Sequence, residues 1–208
     1  MRPVLFTIPV FFLLAACGSG SPAEDSDRLS GPGLYIALGD SLSVGVGASD
    51  PDATGFVPRV HRGLGEGWQL INLARSGNTS DDLLSRGFLD AAIALIQQRN
   101  GDDDPDNDVK LVTLEIGGQA ILDMFDRLVM SVICPSVEEL LAKPQCVDSL
   151  VETLYRFGLN LAIALDRLEE ADSDVRIAVM TVYNPISGGI GLAGGQAIAQ
   201  LVEMALEG

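Results

Sequence analysis

The 208-residue chain carries 29 acidic against 13 basic side chains, a formal charge of -16, and 47% of its residues are hydrophobic. So acidic a surface disfavours nucleic acid and anionic headgroups as partners, and the length suits one domain with a sizeable core. There is no Walker-type loop, no basic aromatic groove and no Gly-x-Gly-x-x-Gly after a strand.

Residues 1–17 read as an export signal. Arg2 supplies the positive start, 3–16 are almost uninterrupted apolar residues, and small residues precede Cys17. The stretch is too short for a permanent membrane-spanning helix. Leu14-Ala15-Ala16-Cys17 resembles the lipobox of bacterial lipoproteins. That resemblance implies that Cys17 is diacylated, becomes the mature amino terminus and anchors the protein outside the cytoplasmic membrane. The other reading is a plain secretory signal cut near Ala16. Residues 18–33 are Gly, Ser, Pro and acid without periodicity, the composition of a flexible tether, and 34–208 form the domain.

Four apolar runs, 34–38, 69–73, 110–116 and 175–182, are rich in Val, Ile and Leu and do not alternate with polar residues. Such runs suit parallel strands covered on both faces. Helical patterns lie between them at 57–64, 80–98, 121–130 and 147–168, the second opened by Thr79, Ser80, Asp81 and Asp82. The acidic stretch 100–108 reads as a solvated loop, since it lacks the spacing and terminal Glu of a calcium loop. Alternating strands and helices predict a doubly wound, three-layer α/β/α domain with a parallel, flavodoxin-like sheet. Cys134 and Cys146, twelve apart in an exported chain, read as a disulfide, with two buried thiols as the alternative. They have no histidine beside them to suggest zinc.

The first strand ends in Gly39-Asp40-Ser41-Leu42, a sharp turn that delivers the Ser41 hydroxyl to the carboxyl edge of the sheet, where open α/β folds place ligands. A serine hydroxyl there is either a nucleophile or part of an ordinary strand ending. It needs a base before it can attack.

Three blocks in order resemble the SGNH hydrolases, the GDSL esterase/lipase family. They are Gly39-Asp40-Ser41-Leu42, then 72–79 (NLARSGNT), then 113–120 (TLEIGGQA). The resemblance covers about residues 34–190. It implies Ser41 as nucleophile, with an oxyanion hole from the Ser41 backbone N–H, the Gly77 N–H and the side chain at Gln119. It also implies no metal or organic cofactor, and acyl esters of lipids, sugars or cell-wall polymers as substrates. Two departures stand out. Gln119 replaces the family's Asn and carries its amide one methylene further out, while Ala120 replaces the Asp that follows. The family's Asp-x-x-His block, with its fifth strand and following helix, is missing before residue 208. The single histidine, His61, lies on the first helix among basic neighbours and matches no catalytic position. The chain is therefore expected to be an incomplete or degenerate copy, nearly inactive as written. The competing expectation is an extracytoplasmic binding lipoprotein that keeps the scaffold without catalysis, with a flavodoxin-like receiver as a third option.

Overall fold

The computed structural model describes residues 29–130, 133–134 and 142–180. Cys17, most of the tether, the end of the fourth expected strand and the expected helix near residue 201 lie outside the described residues.

Among the described residues four parallel strands form one sheet: β1 (Gly33–Gly39), β2 (Trp68–Asn72), β3 (Val109–Glu115) and β4 (Arg176–Val179), in the order β2-β1-β3-β4. The expected parallel α/β architecture is thus the observed one. Every residue of β1 is buried, because the strand is central and both its faces are covered. Successive side chains point to opposite faces. Leu34, Ile36 and Leu38 join one cluster with Leu89, Ala92 and Ile96 of α5 (Phe88–Arg99) and with Ala164 and Leu168 of α7 (Pro144–Ala171). Tyr35 and Ala37 turn to the other face, toward Val57 of α3 (Phe56–Leu64) and Trp68. Each fully buried Leu or Ile in these layers stabilises the fold by about 1.5–3 kcal/mol. The Tyr35 phenol meets the Thr113 hydroxyl of β3 at 2.7 Å, so the one polar atom at the end of this core side chain is satisfied.

Several boundaries differ from the sequence expectation. The turn after β1 holds two single-turn helices, α1 (Ser41–Val44) and α2 (Pro51–Thr54). The helix expected over 80–98 is two: α4 (Ser80–Ser85) opens on a Thr79/Asp82 capping box, and Gly87 caps the separate α5. The helix after β3, α6 (Gly118–Met130), starts three residues early, so Gln119 and Ala120 belong to its first turn. The last residues of the expected tether are part of the domain. Leu29 packs beside the Tyr35 cluster, Gly33 opens β1, and Lys110 Nζ donates to the carbonyls of Ser30 and Pro32. Cys134 and Cys146 are joined by a disulfide and packed with Met124 and Leu150. No helix among the described residues is long and apolar enough to cross a membrane.

Candidate active site

In a parallel sheet the carboxyl ends of neighbouring strands open on one edge, and here β2, β1 and β3 bring the three sequence blocks side by side. Gly39 ends β1 at φ +152°, and a Cβ there would collide with the Glu115 carbonyl and the Ser43 Oγ. Only glycine fits that turn. Asp40 follows, 2% exposed. Its N–H donates to the Glu115 carbonyl at 3.1 Å, and its carboxylate caps α1 by accepting the Leu42 N–H at 3.2 Å. Ser41 is then half-buried, and its hydroxyl points to Asp40 Oδ1 at 3.4 Å. That separation is long for an O–H···O bond, so Asp40 orients Ser41 only weakly.

The second block is fastened to the first. Asn72, at the end of β2, donates from Nδ2 to the Ser43 carbonyl at 2.8 Å and accepts the Ala74 N–H at 3.0 Å. Arg75 N–H donates to the Gly39 carbonyl at 3.2 Å, and Asn78 N–H closes a turn onto the Arg75 carbonyl. Gly77 occupies that turn at φ +82°, exposed, with nothing within 4 Å of where a Cβ would stand. A backbone N–H in such a position can approach a bound carbonyl closely.

The third block departs from the resemblance in geometry as well as in sequence. Gln119 is in the first turn of α6 and donates from Nε2 to Asp123 Oδ1, one turn along, at 2.7 Å. One of the two N–H groups of the Gln119 amide is thus held by Asp123. The Arg75–Gly39 backbone bond joins the turns that carry Ser41 and Gly77, while Gln119 stands in the first turn of the helix after β3 with one amide N–H on Asp123.

His61 is held elsewhere. Its Nε2 meets the carbonyl of Trp68, the first residue of β2, at 2.8 Å. Ser41 lies past the last residue of the adjacent parallel strand, so the two sit at opposite edges of the sheet, separated by about five residues at ~3.3 Å each. His61 cannot serve as the base of Ser41.

Two features went unseen in the sequence. Asn72 as a strut carries no motif. Glu115 did leave a signal, an acid at the end of a run of apolar residues, where charged side chains are seldom fully buried. Glu115 is 2% exposed, and its carboxyl receives the Ser43 hydroxyl at 3.4 Å. Burial first, then the charge and side chain of Asp40, push its pKa up to about 7.

Beside the second and third blocks lies a cleft of about 390 Å³ between α4, α6 and α7, bordered by Ser80, Asp81, Ala120, Asp123, Arg156 and Phe157. It is polar, and Asn160 of α7 braces its rim by donating to Ser80 Oγ at 3.1 Å and Asp81 Oδ1 at 2.9 Å.

No protein-family model and no curated protein matches the chain. Solved structures do. The lipase Lip_vut3 from a goat rumen metagenome is 21% identical, with 82% of this chain and 72% of that one covered and a TM-score of 0.52. An esterase, EstA, from Pseudoalteromonas sp. is 17% identical over 82% of this chain and 72% of its own, with a TM-score of 0.40. TesA is 18% identical over 82% of this chain and 94% of its own, at 0.35. At these identities the likeness is one of fold. By its fold, this chain is an α/β protein of the kind seen in the Lip_vut3 lipase.

Proposed function

We propose that this chain is built as an SGNH-type serine ester hydrolase, with Ser41 as nucleophile and the N–H groups of Ser41 and Gly77 as oxyanion donors. The observation that carries the reading is the Arg75 N–H···O=C Gly39 bond, which sets the open Gly77 turn against the nucleophile turn. Attack by Ser41 Oγ on an ester carbonyl would place the developing oxyanion between these two donors.

The chain's one histidine is held by Trp68, so the 208 residues supply no imidazole base to Ser41. Loss of the base in a serine hydrolase costs roughly a million-fold in turnover, with about a thousand-fold over water left to the oxyanion hole and binding. The 208-residue chain is accordingly a very slow hydrolase. The second reading, a binding protein on the same scaffold, is favoured by the turn of the Gln119 amide onto Asp123 of its own helix, which uses one of its two N–H groups there. Hydrolysis of a short-chain p-nitrophenyl ester, with fluorophosphonate labelling in parallel, separates the two. Weak hydrolysis and labelling, both abolished by Ser41→Ala, support the hydrolase. Equal background in the two proteins supports the binder, and an ordinary enzymatic rate lost on Ser41→Ala overturns the claim of near inactivity.

Export, with a lipid anchor at Cys17, belongs to the same proposal. It rests on Leu14-Ala15-Ala16-Cys17 and is supported by the Cys134–Cys146 disulfide, a bond that persists in oxidising compartments. Cys17→Ser is expected to release the protein from the membrane fraction.

A further inference from the structure

We infer that Asp40 and Glu115 act as a carboxyl pair sharing one proton, a clamp that holds the turn carrying Ser41 onto the end of β3 and loosens when the proton leaves. Both side chains are 2% exposed and lie within hydrogen-bonding reach of each other. Their backbones are already joined by the Asp40 N–H···O=C Glu115 bond, and Gly39 stands opposite Glu115 in the strand register. At Gly39 the β1 backbone runs so close to β3 that a Cβ would meet the Glu115 carbonyl, so the strand ends that carry the two acids are held together.

Two carboxylates this close, away from water, repel strongly unless a proton or a cation lies between them. Among the described residues, the groups acting on Glu115 are Asp40 from the β1–α1 junction and the hydroxyl of Ser43 from α1. Arg75, whose N–H bonds Gly39, is exposed. On the other side of β3 stand Val179 and Met180, neither of which titrates. A proton therefore takes the place of a cation. Protonated Glu115 donates to the Asp40 carboxylate, which keeps its other bonds to the Leu42 N–H and the Ser41 hydroxyl. Glu115 is a positioning residue: through Asp40 it holds the cap of α1, the single-turn helix that begins at Ser41.

The sign follows from the raised pKa. A carboxyl that titrates near 7 folded and near 4.5 unfolded contributes stability that is full below about pH 4.5 and is lost as pH rises through 7. Thermal unfolding of the full chain at pH 5 and pH 8 tests it. Glu115→Gln keeps a hydrogen-bond donor toward Asp40 but cannot ionise. Its melting temperature should match wild type at pH 5 and exceed it at pH 8, the gap opening to roughly 5 °C. A gap of equal size at both pH values overturns the clamp. Should the Gln variant fail to fold, carbon-13 carboxyl shifts of wild type decide instead: a glutamate titrating near 7 supports the clamp, and all glutamates titrating in the ordinary range overturn it.

The consequence for Ser41 rests on the proposed function and is read separately. Fluorophosphonate should label Glu115→Gln at the wild-type rate at pH 5.5 and several-fold faster at pH 8. Absence of labelling in both proteins, with the melting gap present, supports the clamp while refuting Ser41 as an activated nucleophile.

Discussion

Asn72 donates from its side chain to the Ser43 carbonyl, so the end of β2 holds the single-turn helix that begins at Ser41. The turn carrying Ser41 is thereby braced from both sides, by Asn72 on β2 and by Glu115 on β3. The geometry of Ser41 is a property of its neighbours' ends.

Replacing Asn72 by Ala leaves the Ser43 carbonyl and the Ala74 N–H without their partner. The expected loss is about 1–3 kcal/mol in urea unfolding. Asn72→Asp keeps the acceptor for Ala74 but presents a carboxylate to the Ser43 carbonyl, so it should recover none of the Ser43 bond. A value for Asn72→Ala indistinguishable from wild type would show that the Asn72 side chain does not brace the turn.

Gly39→Ala puts a methyl group against the Glu115 carbonyl and the Ser43 Oγ at a backbone angle that L-residues avoid. Strain and overpacking together should cost about 2–4 kcal/mol. Gly77→Ala meets open space and carries only the backbone penalty, about 1 kcal/mol. The order of the two, read from chemical denaturation, is the check.

Thr79 and Asp82 cap α4 reciprocally, and the Thr79 N–H, helped by its hydroxyl, holds the Asp82 carboxyl below the usual carboxylate range. A depressed folded pKa contributes stability present above about pH 4 and lost as pH falls through the folded value. Thr79→Ala should cost about 1 kcal/mol at pH 7, and less of it should remain at pH 2.5. Asp82 carboxyl shifts followed by NMR should move back toward the ordinary range in the variant.

His61→Ala removes the bond to the Trp68 carbonyl and should destabilise the chain by about 1 kcal/mol. Ser41 labelling by a fluorophosphonate should be unchanged, because the histidine stands at the opposite edge of the sheet. A loss of labelling beyond the loss of folded protein would place His61 in the reaction after all.

The strands were legible because buried parallel strands are written as unbroken apolar runs, and β1 and β3 lie where those runs are. The two-helix form of 80–98 was not, since one glycine in a helical pattern does not announce a break; only the cap that Gly87 supplies to α5 reveals it. Ser41 and Gly77 could be put forward as candidates from local motifs because a turn's chemistry is local. The engagement of Gln119 by Asp123 and the pairing of Asp40 with Glu115 depend on side chains meeting in three dimensions. Asp40 and Glu115 are 75 positions apart, and nothing in either neighbourhood encodes the other.

The anchoring of Ser30 and Pro32 by Lys110 fixes where the chain enters the domain. It enters at the amino end of β1, about 23 Å along the strand from Ser41, counting seven residues at ~3.3 Å. Anything attached upstream of Leu29 holds the domain by its back, and the edge bearing Ser41 and Gly77 looks away from the point of attachment. A tethered copy would thus reach outward for what it binds.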